Sequence, residues 1–240
     1  PPDATPNRIT SPEVKARLDS LTVLRFIAAA WVLTLHLNSR APLPVPPLWH
    51  RLFGNGAYAM TVFFVLSGTV LAYGYHWLRP RAEDVIAFYQ SRFARIYASY
   101  AALHLVVLVF LFPTNPADMV PAIYTNVLSA LGLQAWFPHS ASGAGAANGS
   151  TWSISAEFFF YALFPALLPA LAYLKGRMGT LRLGAYLAAL SGLIGFADVF
   201  YPNGFTFYLM PAARLPEFML GVVLGLALVE HPTGQKGNTL

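Results

Sequence analysis

The chain has 240 residues, of which 56% are hydrophobic and only 10% charged, with a net charge of +5. A soluble domain carries roughly 25% charged residues, so this composition excludes an ordinary water-soluble globule. The absence of cysteine excludes disulfides, thiolate metal sites and a cysteine nucleophile. The basic excess gathers in particular gaps between apolar runs, which is how a membrane protein sets its orientation, and so gives no argument for nucleic acid.

In chain order, residues 1–16 form a polar, Pro-rich tail expected to be disordered. It lacks the charged start, short apolar stretch and small-residue cleavage site of a secretory signal. Residues 17–230 then read as one transmembrane domain and residues 231–240 as a polar tail. A bilayer core of about 30 Å needs about 20 mostly apolar helical residues. The apolar runs predict spans at Leu21–Asn38, Ala57–Leu78, Tyr97–Phe112, Ser153–Leu174, Leu183–Phe200 and Leu215–Glu230, with Pro121–Phe137 a weaker segment. The expected fold is therefore all-α: a polytopic transmembrane bundle of about six or seven hydrophobic helices plus a candidate re-entrant or interfacial segment. The gaps are rich in Pro, Gly, Asn and Ser, as loops are. The stretch Ala141–Gly149 is a low-complexity loop with no following Lys-Ser/Thr, so it is not a phosphate-binding P-loop.

Short-loop Lys and Arg set the orientation. Arg8, Lys15 and Arg17 precede the first span, and Arg79, Arg81, Arg92 and Arg95 follow the second. Both regions, and with them the N-terminus, are expected in the cytoplasm. Lys175, Arg177 and Arg182 form a third basic cluster, which is cytoplasmic if Pro121–Phe137 dips into the membrane and external if it crosses. The charges favour the dip.

The first span carries the clearest chemical signal. Arg25 and His36 stand eleven positions apart, about three helical turns, so both project from one face roughly 16 Å apart along the axis. Lipid exposure of such groups is costly, which directs them towards a protein interior or a wet cavity. The plainer alternative has Arg25 snorkelling to the inner surface and His36 capping the outer end. Arg92 and Arg95, spaced i, i+3, occupy neighbouring helical positions, either as anchors on the inner side or as a phosphate clamp. Glu157 opens a long apolar span. There it either complements the helix dipole or, if buried, is functional. Arg214 and Glu217 read as an internal ion pair at a span entrance, Asp198 as wetted and structural, and His104 as a core or lumen histidine. No His is followed five positions later by Asp, as soluble glycerolipid-type acyltransferases require, and there is no Gly-x-Ser-x-Gly elbow and no zinc-protease pairing.

Five segments in this order resemble the acyltransferase-3 family of membrane acyltransferases. They are LTVLRFIAAAWVLTLHL around Arg25 and His36, FFVLSG at Phe63–Gly68, FYQSRFARIYASY at Phe88–Tyr100, WSISAEFFFYALFP at Trp152–Pro165 and ARLPEFMLG at Ala213–Gly221. The resemblance implies an acyl relay that takes an acyl group, commonly acetyl, from cytoplasmic acyl-CoA to a hydroxyl of an extracytoplasmic carbohydrate, glycolipid or macrolide-like acceptor. It implies no bound cofactor and no metal, and a bacterial inner-membrane location. Carried over residue by residue, it places the family's essential Arg and His on Arg25 and His36, its paired arginines on Arg92 and Arg95, and its tryptophan-to-glutamate motif on Trp152 and Glu157. His36 and Glu157 are then the expected catalytic pair, with Glu157 orienting His36 or holding its protonated form. Arg25, Arg92 and Arg95 are the expected acyl-CoA-binding residues. Members of the family have more spans than this chain, so a C-terminal truncation is expected. Two other classes stay open: a transporter or channel with a charged interior, and a non-catalytic truncated membrane subunit.

Overall fold

A computed structural model of the chain describes residues 12–41, 46, 48–49, 58–110, 115–137, 151–200 and 209–230. These residues contain seven long α-helices: α1 (Pro12–Arg40), α2 (Ala59–Tyr75), α3 (Ala82–Phe110), α4 (Pro116–Ala130), α5 (Trp152–Met178), α6 (Thr180–Phe200) and α7 (Leu215–Glu230). A single 3₁₀ turn, Gln134–Trp136, lies between α4 and α5, and no strand occurs among the described residues. The fold is a helical membrane bundle. The segments Ser20–Asn38, Trp152–Met178 and Thr180–Ala197 are each long and apolar enough to cross a bilayer, and Ala59–Tyr75 is a shorter apolar helix. The C-terminal tail, Arg8, the Ala141–Gly149 loop and the side chain of Asp198 lie outside the described residues.

Two helices begin earlier than the hydropathy predicts. α1 starts at Pro12, inside the stretch expected to be a tail; Ser11-Pro12-Glu13 is a helix-start signal, because proline is preorganised for the first helical position. α3 starts at Ala82 rather than Tyr97. Its first half is too polar to register as a span, yet it consists largely of good helix formers and carries Glu83 and Asp84 in the first turn, where they complement the dipole.

Side-chain contacts fix how the helices run. Phe64 of α2 meets Trp152 and Phe160 of α5, while Tyr75 of α2 meets Phe164 of α5. Advancing along one helix therefore advances along the other, and α2 and α5 are parallel. α7 runs with them, since Thr61 contacts Glu217 whereas Gly225 lies against Thr69 and Ala72. α3 runs the opposite way: Phe88 stacks on Phe164, and Tyr100 meets Phe158. α6 is likewise antiparallel to α7, because Ser191 reaches Glu217 while Gly184 faces Leu220. The ends of α2 and α5 that lead into Arg79 and Arg81, and into Arg177 and Arg182, consequently share one side of the bundle. Between the helices lies an aromatic core whose largest fully buried members are Phe64, Phe88, Phe160, Phe164 and Phe218.

This arrangement depends on α4 turning back. The last turn of α4 meets the middle of α3, where the Tyr100 and Tyr97 hydroxyls donate to the Ser129 and Ala130 carbonyls at 2.6 and 3.5 Å. The chain then turns at Gly132, whose φ of +69° suits glycine. Ser155 of α5 donates to the Gly132 carbonyl at 2.5 Å. The Gln134 amide donates to the Thr151 carbonyl at 2.9 Å. α4 thus ends, and α5 begins, at one level of α3.

α2 and α7 form the closest helix pair, and the reason is the absence of side chains between them. A Cβ on Gly68 would collide with the Phe218 carbonyl, one on Gly221 with the Val65 carbonyl, and one on Gly225 with the Thr69 carbonyl. Small residues at this spacing let backbones approach where lipid supplies no hydrophobic drive between helices. Gly221→Val and Gly225→Val should each cost at least the roughly 1–3 kcal/mol typical of overpacking. Each should lower the thermal unfolding midpoint of the detergent-solubilised protein by several degrees, whereas Gly176→Ala, which meets open space, should leave it unchanged.

Candidate functional site

Glu157 sits one and a half turns into α5, partly buried. Arg25 of α1 and Arg92 of α3 both lie close enough for their charges to act on its carboxylate. Tyr161, one turn further along α5, donates to Glu157 Oε2 at 3.2 Å, and Ser67 of α2 lies 3.5 Å from the Tyr161 hydroxyl. One hydroxyl thus donates to the carboxylate directly, and two cations act on it from beyond ion-pair distance, as a charge at membrane depth requires.

Arg92 is held separately from the α2 side. Its Nη2 donates to the Tyr75 hydroxyl at 2.8 Å, and its guanidinium carbon lies 4.9 Å from the centroid of the Tyr75 ring. Ser91 gives its proton to the Phe88 carbonyl at 3.0 Å, so the Tyr75 hydroxyl donates to Ser91 Oγ at 2.9 Å. The donors run in one direction, from Arg92 through Tyr75 and Ser91 to the α3 backbone. Arg92 Nε is buried without a hydrogen-bond partner.

The expected site residues therefore divide. Arg25, Arg92 and Glu157 are brought together from α1, α3 and α5. Arg95, although only three positions from Arg92, is exposed and stands in a different environment. His36 is exposed on α1, about three turns and roughly 16 Å along the axis from Arg25. His104 is buried, with its ring 6.1 Å from that of Tyr100. Tyr161, Ser67 and Tyr75 were not singled out from the sequence. Tyr161 carried a usable signal, since i, i+4 side chains meet on a helix. Tyr75 carried none, because only the packing of α2 on α3 brings it to Arg92.

A second polar cluster ties α2, α6 and α7 together. Arg214 Nη2 pairs with Glu217 Oε2 at 3.1 Å and donates to Thr61 Oγ1 at 3.0 Å. Thr61 and Ser191 each donate to Glu217 Oε1 at 3.1 Å. The Arg214 guanidinium also lies 5.5 Å from the centroid of Phe64. This is the internal ion pair expected from the sequence. At the opposite end of the bundle, buried Lys175 pairs with exposed Glu230, joining the ends of α5 and α7.

A membrane-embedded bundle with an Arg–Glu–Arg cluster drawn from three helices defines a class of integral membrane protein, and comparison with known proteins narrows it. The model of an acyltransferase domain matches residues 18–237. The chain belongs to the acyltransferase-3 family. It is 32% identical over 235 residues to Acyltransferase MdmB of Streptomyces mycarofaciens, covering 88% of this chain and 58% of that protein. It is 21% identical over 265 residues to Regulator of hypoxia-inducible factor 1 of Caenorhabditis elegans, covering 90% of this chain and 52% of the relative. The chain thus spans a little over half the length of these curated relatives. No solved structure matches it significantly.

The Arg214–Glu217 pair generates a stability prediction. Removing one member of a buried pair leaves an uncompensated charge and costs about 3–5 kcal/mol, whereas replacing both by apolar residues of similar size is often close to neutral. Arg214→Met and Glu217→Leu should each lower the unfolding midpoint markedly. The double variant should melt above either single one, as read from detergent-solubilised protein by thermal-shift fluorescence.

Proposed function

We propose that the chain carries out acyl transfer from acyl-CoA, most simply acetyl-CoA, to a hydroxyl of an extracytoplasmic carbohydrate, glycolipid or macrolide-like acceptor. The gathering of Arg25, Arg92 and Glu157 from three helices, in a chain of this family, carries the reading. The basic side of the bundle faces the cytoplasm of a bacterial inner membrane, with the N-terminus inside, in keeping with the excess of arginine and lysine there. The phosphates of CoA dock among these basic residues, since guanidinium pairs strongly with phosphate oxygens. The half-buried Arg92 guanidinium offers its charge to the incoming molecule, with Arg95 at the surface.

The long pantetheine arm carries the thioester inwards along α1 towards His36. His36 acts as general base: it takes the acceptor hydroxyl proton as that oxygen attacks the thioester carbonyl, the carbon–sulfur bond breaks, and the CoA thiolate leaves. An imidazole nitrogen can accept a hydroxyl proton directly and suits this exchange without prior activation. Glu157 holds the two arginines in place and complements positive charge along the path. No resident cofactor or metal is needed for these steps.

The test uses membranes supplied with labelled acetyl-CoA, with label followed into lipid-linked and soluble carbohydrate. His36→Ala should abolish transfer, and Arg25→Ala and Arg92→Ala should reduce it at least tenfold, while each protein remains folded by fluorescence-detected gel filtration. Full turnover by His36→Ala would remove the imidazole from the mechanism. Movement of a solute without any acyl transfer would favour a transporter instead.

A further inference from the structure

The one hydrogen bond that reaches Glu157 from its own helix comes from a residue to which the proposed reaction gives no role. Tyr161 has a single hydroxyl proton, and it goes to Glu157 Oε2 at 3.2 Å. Ser67, 3.5 Å away, must therefore be the partner that turns its hydroxyl towards the Tyr161 oxygen, although at that distance the contact is weak. Both residues are buried, with Ser67 at 2% and Tyr161 at 9% exposure, so water does not readily replace either group. The backbone around Ser67 is fixed in turn: the next residue, Gly68, lies directly against the Phe218 carbonyl of α7.

We infer that Tyr161 is a positioning residue for the proposed acyl transfer. Its hydroxyl, backed by Ser67, fixes the rotamer of Glu157 so that the carboxylate stays within reach of the charges of Arg25 and Arg92. The inference rests on the reading of Glu157 as part of the acyl-transfer site. A free glutamate side chain has three rotatable bonds and would collapse onto whichever guanidinium lay nearer. That arginine would be neutralised and the other left unbalanced. A hydroxyl donating from one turn along the same helix holds the carboxylate from a third direction. The arrangement also gives FFVLSG a physical meaning: Phe64 packs on α5, Ser67 backs the tyrosine, and Gly68 admits α7.

A double-mutant cycle tests this. Tyr161→Phe keeps the ring and removes only the hydroxyl. Glu157→Asp keeps the charge but withdraws it by one methylene from the tyrosine. A hydrogen bond to a charged group contributes about 1.5–3 kcal/mol, equivalent to roughly 10–100-fold in rate. Tyr161→Phe should therefore lower kcat by about that factor, with the KM for acetyl-CoA changed less than threefold and the thermal midpoint lowered by no more than the several degrees that one buried hydrogen bond accounts for. In the Glu157→Asp background the same change should lower kcat less than twofold, because the contact is already lost. Ser67→Ala should give a smaller loss in the same direction.

Equal losses in both backgrounds, or a parent-like Tyr161→Phe, would overturn the positioning role while leaving the acyl-transfer site intact. A loss of kcat matched by a large fall in thermal midpoint would also overturn it, by assigning Tyr161 to stability alone. Parent-like activity of Glu157→Gln would instead overturn the site reading itself, and the positioning role with it.

Discussion

A carboxylate at membrane depth must be answered from several directions at once, and much of this bundle follows from meeting that requirement at Glu157. Its position on α5 cannot be satisfied by one neighbour, because a single guanidinium would leave it open on its other sides in a medium of low dielectric constant. The chain supplies Arg25 from α1, Arg92 from α3 and Tyr161 from α5 itself. Each partner in turn requires a placed helix. Arg92 is held by Tyr75, which needs the end of α2 packed on the start of α3, and Tyr161 is backed by Ser67, which needs the middle of α2 against α5. The turn of α4 at the centre of α3 allows α5 to run parallel to α2, and without that polarity Glu157, Ser67 and Arg92 would not converge.

The second polar cluster obeys the same physics with a different outcome. Glu217 is met by Arg214, Thr61 and Ser191, so both of its oxygens are engaged within the protein and it joins helices instead of presenting a charge. Around Glu157, by contrast, the charges of two arginines act on one carboxylate. That surplus of positive charge sets the Glu157 cluster apart from the one-to-one ion pair of the polar staple.

The membrane character, the number of helices and most of their positions were legible because twenty-residue apolar runs leave little freedom of interpretation. The start of α3 was not, since a span is recognised by apolarity and Ala82–Ile96 is helical for reasons of propensity and dipole instead. Arg25, Arg92 and Glu157 could be singled out because charge inside apolar sequence is costly wherever it points. Their meeting could not be read, because it depends on helix polarity and rotation. Arg92 and Arg95 illustrate the limit: three positions apart on one helix, yet one turns towards Tyr75 and the other to the surface. Tyr75 and Ser67 are ordinary in sequence and become informative only through what α2 packs against.

The seam between α2 and α7 has a mechanical consequence. With glycine backbones touching across it and no side chain to act as a compliant spacer, the two helices behave as one plank. They can slide past each other only by lifting apart or by jumping a full turn, about 5.4 Å. Any widening that lets a bulky molecule pass through the bundle therefore has to come from elsewhere. α1 carries both Arg25 and His36 and packs on α2. The rigid plank thus serves as a fixed rail against which the helix bearing the two basic groups is set.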